Sequence, residues 1–329
     1  MKTITQNQAL TIPNIEAYIE TLCQRIKEDA FHKLRRRGGV VGISGGIDSS
    51  VTFALAVKAL GAKNVLGVMM PEKDSSKDSL TFAQALADRF GAKAIVEDIT
   101  DALVGFGCYT RRDKAVSRVF PEYDPTKHSF KIGMKESAIE TKLPSPFYIT
   151  LVDEQAQKES KTLPAKEFLQ IMGASNFKQR TRMSMLYYHA ERLYYSVIGT
   201  PNKHEINQGF FVKHGDGGAD VMPIGHLYKT QVYQLAKALD VPQAIIERTP
   251  TTDTYSAEQT QEEFFFQLPF DQMDLLWHAY EHNQSPAQVA DLVGKSEEAV
   301  ANIFHSFKRK QSTTDYLRMS PIVYHDLNQ

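Results

Sequence analysis

The stretch Val40-Val41-Gly42-Ile43-Ser44-Gly45-Gly46-Ile47-Asp48-Ser49-Ser50 decides the fold. An apolar run too short for a helix meets two glycines, and apolar residues then recur at helical spacing from Ser49 to Leu60. A strand, a tight turn and a helix follow from that pattern. Glycines let the main chain approach an anion closely, and the first turn of a helix offers free N–H groups and the positive end of its dipole. Ser44, Ser49 and Ser50 add hydroxyl donors, and Asp48 is the kind of carboxylate that holds the magnesium accompanying a nucleotide. With Gly and Ser each near ~7% of residues, the letters S-G-G-x-D-S arise by chance at roughly one start in a million. No lysine follows the glycines, so this is not the G-x-x-x-x-G-K-[ST] phosphate loop.

Working outward, Val65 to Met70 reads as a second buried strand, Ser79 to Phe90 as a helix and Ala94 to Ile99 as a third strand. Strands alternating with helices predict an α/β protein with a doubly wound parallel sheet. Upstream, Ile15, Tyr18, Ile19, Leu22 and Ile26 mark an amphipathic helix ending near Arg37, where Lys33, Arg35, Arg36 and Arg37 read as cations of a last turn before Gly38-Gly39. The pattern resumes with a helix from Asn176 to about Arg192, a strand from Tyr195 to Ile198 and a helix from Lys229 to Leu239. Between the two blocks, residues 105–172 lose the rhythm and read as an ordered insertion with strands at Phe130-Lys131-Ile132 and Phe147 to Val152. Residues 255–329 read as a C-terminal helical extension, so the organisation expected is one domain over 1–329 carrying the insertion within it.

Composition narrows the classes. A chain of 329 residues with 42% hydrophobic side chains buries an ordinary core. No apolar run reaches the ~20 residues of a membrane span, and the polar start carries no signal-peptide core, so the expectation is cytoplasmic. Two cysteines, Cys23 and Cys108, build neither a disulfide framework nor a zinc site. A net charge of −1 speaks against a general nucleic-acid binder. Residues 285–310 have the outline of a helix-turn-helix, but residues 281–312 carry four acids and four bases, and a helical hairpin is expected there. Gly42-Ile43-Ser44-Gly45-Gly46 also satisfies the G-x-S-x-G elbow of serine hydrolases, yet a single strand precedes Ser44 and no H-G-G-G-like segment exists. His189, His204, His214 and His226 lack metal-ligand spacing.

The Ser44–Ser49 loop resembles the pyrophosphate-binding loop of the N-type ATP pyrophosphatases. The ordered motifs that follow resemble those of the ammonia-dependent NAD synthetase family: Asn176 to Arg182 (N-F-K-Q-R-T-R), Gly199 to Glu205 (G-T-P-N-K-H-E), Gly209 to Asp216, Pro223-Ile224, Tyr228 to Val232 and Thr249 to Asp253. The resemblance covers about 40–100 and 175–310 and leaves out the insertion. It implies a sheet of the adenine-nucleotide alpha-hydrolase type and a ligase that adenylates deamido-NAD with ATP and lets ammonia displace AMP. By the same resemblance Gly42, Ile43, Ser44, Gly45, Gly46, Ile47, Asp48 and Ser49 bind ATP phosphates, with Thr200, Lys229 and Thr251 completing the ATP site. Asp48 and Glu205 hold Mg²⁺, while Arg180, Lys213, Asp220 and Lys308 contact deamido-NAD. Asp48 and Lys229 carry the catalysis, with no covalent nucleophile. A homodimer is implied, and with no nitrilase-like domain in the sequence, free ammonia or a separate glutaminase would supply the nitrogen. Two departures stand out: the insertion, and Thr252-Asp253-Thr254 where the family usually has Ala-Asp-Leu; another carboxylate substrate is the alternative they leave open.

Overall fold

The computed structural model describes residues 10–134, 146–251, 254–257 and 259–324. Helix α1 (Ile15–Lys27) starts where the Asn14 side chain accepts from the Ala17 N–H, and it buries Ile19, Leu22, Cys23 and Ile26. It ends ten residues before the expected Arg37 and passes into a π-helical stretch, Glu28–Lys33. The cationic cluster that follows is a packing feature, since the guanidiniums of Arg36 and Arg37 lie over the Tyr194 ring at 4.7 and 5.8 Å.

Strand β1 (Gly39–Gly42) leads into α2 (Ile47–Leu60), and β2 (Val65–Met69) into α3 (Lys77–Phe90). Next come β3 (Lys93–Val96) and the short α4 (Thr100–Gly105). Beyond Val96, where the third strand was expected to run on, pairing continues only as the single bonds Glu97 N–H to Met69 O and Ile99 N–H to Pro71 O before α4 begins. Then follow α5 (Cys108–Val119), an antiparallel sheet of β4 (Ser129–Gly133), β5 (Tyr148–Val152) and β6 (Lys158–Thr162), the 29-residue α6 (Ala165–Leu193) and β7 (Ser196–Ile198). The chain finishes with α7 (Lys203–Gln208), α8 (Lys229–Ala238), α9 (Gln243–Ile246), α10 (Phe270–Glu281), α11 (Pro286–Val293) and α12 (Glu297–Arg318).

The main sheet is parallel in the order β3-β2-β1-β7, with Val40 opposite Leu66 on one side and Val197 on the other. Side chains alternate across it, as the two-residue period of a strand requires. Val41, Ile43, Val65, Met69 and Ile198 pack with α1, α2, α3 and α8, whereas Val40, Leu66, Val68 and Val197 pack with Met183, Leu186 and Ala190 of α6. Helices on both faces make this the doubly wound sheet expected. A Cβ on Gly67 would lie 2.9 Å from Ile43 and 3.1 Å from Phe53, so that position stays small to admit α2.

The strands expected at 130–132 and 147–152 are β4 and β5; β6 is additional, and its exposed Lys158-Glu159-Ser160 gives no apolar alternation to read. The small sheet shares a core with α5, α6 and the C-terminal part of the chain, through Val116, Phe130, Ile149, Ile171, Tyr255 and Phe264. The boundary expected at 172 falls inside α6, which runs from Ala165 under the small sheet to Leu193 under the main one. Residues 285–310 form the α11–α12 hairpin, whose Val289, Val293, Val300, Ile303 and Phe307 close on Trp277 of α10.

Candidate active site

All four parallel strands deliver the chain to one edge, their C-terminal ends, where ligands of such sheets bind. From β1 comes the loop 43–46. Gly45 has φ of +71°, and a Cβ there would sit 2.8 Å from the Ser79 carbonyl and from Phe82, so both the turn and the close passage of α3 require glycine. The Ser44 and Ser49 hydroxyls are 3.2 Å apart, and those of Ser49 and Ser50 donate to the Gly46 carbonyl at 3.0 and 2.8 Å. Gly46 caps α2 without a side chain, so the first-turn N–H groups lack a side-chain partner from the cap. The Ser44 hydroxyl accepts from the Gly46 N–H and bonds Ser49 rather than a histidine, which removes the hydrolase reading.

Asp48, in the first turn of α2, ion-pairs through Oδ2 with the ammonium of Lys229, the first residue of α8. Its other oxygen accepts from Asn202 Nδ2 at 3.2 Å. Asn202 ends the segment after β7 and makes a capping box with Glu205: its side chain accepts from the Glu205 N–H at 3.2 Å, and its own N–H donates to Glu205 Oε2 at 2.8 Å. One asparagine thus bridges two carboxylates, and Lys229 joins the cluster through Asp48. Burial first, and the charge of Asp48 second, push the Glu205 carboxyl up to about 8. Burial works against the Lys229 ammonium, but Asp48 and then Glu205 outweigh it and raise its pKa.

Thr200 lies half-buried between β7 and Asn202, on this same edge. The other expected residues are held by contacts of their own. Thr251 forms an antiparallel bridge with Thr260, and Thr252 and Asp253 lie outside the described residues. Arg180, exposed on α6, donates through Nε to the Lys213 carbonyl at 3.2 Å, while the Lys213 ammonium donates to the carbonyls of Tyr316 and Met319 at 2.7 and 2.9 Å. Both Asp220 oxygens are engaged, one with the Val197 N–H at 2.8 Å on the edge strand β7 and one with the Tyr187 hydroxyl at 3.1 Å. Lys308 is exposed on α12.

A second cluster has no counterpart in the sequence reading. At the end of β2, Glu72 and Asp74 accept from the buried ammonium of Lys178 at 2.8 and 2.9 Å, and Asp74 also binds the buried Arg112 of α5 at 2.5 Å. Arg112 is in turn paired with Asp113, and the Tyr109 hydroxyl donates to Glu72 at 2.7 Å. Burial would raise the Asp74 carboxyl, but Lys178 and then Arg112 hold it below its ordinary value. The signal was present for Lys178, which stands on the buried stripe Ile171-Ala174-Ser175-Lys178-Thr181, where a lysine needs an acid. Its partners are 104 and 106 positions away, beyond the reach of spacing.

A phosphate loop on the first strand of a parallel sheet, with a carboxylate–lysine cluster above it, defines the class: an α/β enzyme that activates substrates with a nucleotide. The chain belongs to the NAD synthase family, whose sequence profile matches residues 18–118 and 132–315 and so runs through most of the insertion. Two curated relatives, both named NH3-dependent NAD+ synthetase, come from Rhizobium rhizogenes and Rhizobium meliloti. The first is 44% identical over 311 residues, 93% of this chain and 92% of the relative. The second is 46% identical over 288 residues, 88% and 86% of the two chains. Among solved structures, an NMN synthetase from Francisella tularensis aligns with a TM-score of 0.64 at 21% identity, covering 95% of this chain and 99% of that one. An NH3-dependent NAD synthetase from Campylobacter jejuni gives 0.62 at 22%, covering 95% and 100%. At those identities the structures speak for the fold alone.

Proposed function

We propose that this member of the NAD synthase family is an ammonia-consuming ligase that converts deamido-NAD to NAD with ATP, releasing AMP and pyrophosphate. The Asp48–Lys229–Asn202–Glu205 cluster at the head of the phosphate loop carries the reading. ATP lies with its phosphates along Gly42 to Ser49, flanked by Thr200, Lys229 and Thr251. The nicotinate carboxylate attacks the α-phosphorus, the bond to the β-phosphate oxygen breaks, and pyrophosphate leaves with its negative charge countered by Lys229 and the loop N–H groups. Ammonia then adds to the acyl carbon of the adenylate, loses a proton, and AMP departs. No side chain forms a bond to substrate, so the protein acts by positioning and charge.

Asp48 and Glu205 would hold Mg²⁺. Two oxygen-donor carboxylates bonded to one asparagine suit that hard cation, whose charge would offset the burial and, second, the Asp48 charge that raise the Glu205 carboxyl. Bound there, the metal would supply positive charge to the phosphate oxygens. Arg180, Lys213, Asp220 and Lys308 are assigned to deamido-NAD. Arg180 is an exposed cation beside the Lys213 main chain, a placement that suits a dinucleotide's pyrophosphate. We assign the chain to the cytoplasm as a homodimer, with ammonia free or delivered by a separate glutaminase; no described helix is long and apolar enough to cross a membrane.

The test is an assay with ATP, Mg²⁺, ammonium and deamido-NAD, with nicotinate mononucleotide as the competing carboxylate. AMP, pyrophosphate and NAD in equal amounts are expected. ADP in place of AMP would refute the activation step, and a preference for the mononucleotide would refute the substrate.

A further inference from the structure

The start of α8 is gripped by a carboxylate that belongs to none of the sequence motifs. Asp274, on α10, is fully buried. Its Oδ2 accepts from the Thr230 N–H at 2.7 Å, and its Oδ1 accepts from the Lys229 N–H at 3.3 Å and bonds His204 Nε2 at 2.5 Å. The direction of that last bond follows from a chain of donors. The Gln208 amide nitrogen donates to Met273 Sδ at 3.4 Å and lies 3.4 Å from His204 Nδ1, with its oxygen turned toward Lys310 Nζ at 3.5 Å. Nδ1 then accepts, and the ring proton on Nε2 points at Asp274. A ring of Tyr228, Phe266 and Trp277 lies around the imidazole, with centroids 5.8 to 6.1 Å away.

The two elements that Asp274 ties together are the ones that bear the reacting cluster. Lys229 opens α8, and its ammonium reaches Asp48; His204 is the neighbour of Glu205 in the first turn of α7. A carboxylate at the N-terminus of α8 is favoured by the helix dipole and by two otherwise unsatisfied N–H groups, so its place is well determined. Because the main chain it holds is that of Lys229 itself, a small shift of Asp274 moves the ammonium.

We propose that Asp274 is a positioning residue for adenylation: through α8 and His204 it sets Lys229 against Asp48 and Glu205, touching no substrate. The inference rests on the reading of Lys229 as the group that meets the leaving pyrophosphate. A purely structural cap would lower stability and leave the turnover of the folded fraction alone. A positioning role predicts that Asp274→Asn, in protein verified as folded by its melting curve, lowers kcat of deamido-NAD-dependent ATP–pyrophosphate exchange by about 10- to 100-fold. KM for deamido-NAD stays within about twofold, because substrate contacts are intact.

The deciding measurement is a double-mutant cycle, read by single turnover with enzyme in excess. In a Lys229→Ala background, Asp274→Asn should cost less than about twofold further, since the ammonium it positioned is gone. A kcat within twofold of wild type, or a full multiplicative loss on top of Lys229→Ala, would overturn the proposal. Should the asparagine variant not fold, His204→Gln, which leaves both α8 N–H bonds in place, is measured in the same cycle and should lose about three- to tenfold, again absorbed by Lys229→Ala. Failure of both to fold would make Asp274 a folding residue and reject the positioning role. Wild-type protein that forms no AMP would refute the proposed reaction instead, so the two failures are distinct.

Discussion

Glu205, a candidate metal ligand, is buried beside a second carboxylate at a cost to the ligand-free protein. Its carboxyl is raised from 4.5 to about 8, so between those values the folded chain keeps a proton that the unfolded chain has released. Stability of the ligand-free protein therefore falls as pH rises through that window and levels off above it. Glu205→Gln removes the ionisation but keeps an oxygen for the Asn202 N–H, so the capping box survives. We expect the variant to be more stable than wild type by on the order of 1–3 kcal/mol at about pH 8.5, and close to it near pH 5.5. AMP formation should drop at least about tenfold. Thermal melts at the two pH values check the first claim; a wild-type melting temperature that climbs between them would contradict it. The N-x-x-E spacing of Asn202 and Glu205 is a helix-start signature legible in sequence. That Asn202 also reaches Asp48, 154 positions away, was not.

Among the elements, α6 does most to connect the parts. Its C-terminal half covers one face of the main sheet, its N-terminal half packs with the small sheet, and Lys178 between them clamps the end of β2. Replacing Lys178 by Met keeps the helix and the volume but leaves Glu72 and Asp74 short of a buried cation. A loss of about 3–5 kcal/mol is expected, measured by urea unfolding at neutral pH. Since Lys178 and Arg112 hold the Asp74 carboxyl low, that stabilisation is present at neutral pH and disappears only on strong acidification. A variant within about 0.5 kcal/mol of wild type would show that Arg112 alone suffices. From β1 to α3, where the expected strands and helices match the structure, the apolar period is unbroken. The unbroken length of α6 is not legible in the sequence, because its first turns bury residues against the small sheet and its later turns against the main sheet, so no single stripe runs its length.

For the whole molecule the question is whether residues 105–172 are an appendage. Their shared core says otherwise: Ala115 and Val116 of α5, Ile171 of α6 and Tyr255 and Phe264 near the C-terminal helices all bury against β4 and β5. Excising 124–162 and joining the ends with a short Gly-Ser link would expose that core. We expect a protein that melts at least about 5 °C lower and binds a hydrophobic dye, since a loss of 1 kcal/mol already moves a large domain's midpoint by about 2–4 °C. An excised chain that melts as wild type would establish the segment as separable.

The sequence by itself determined the parallel α/β sheet and the glycine turn before Asp48, through local period and turn chemistry, while Asp48, Glu205 and Lys229 are singled out as candidates by the resemblance of their motifs. Only the tertiary structure decided how they meet. Asp48 and Lys229 are 181 positions apart, Lys178 and Asp74 104, and His204 and Asp274 70. Pairing at such distances is set by which strand ends share an edge and which helix starts face it, and chain periodicity carries no record of that.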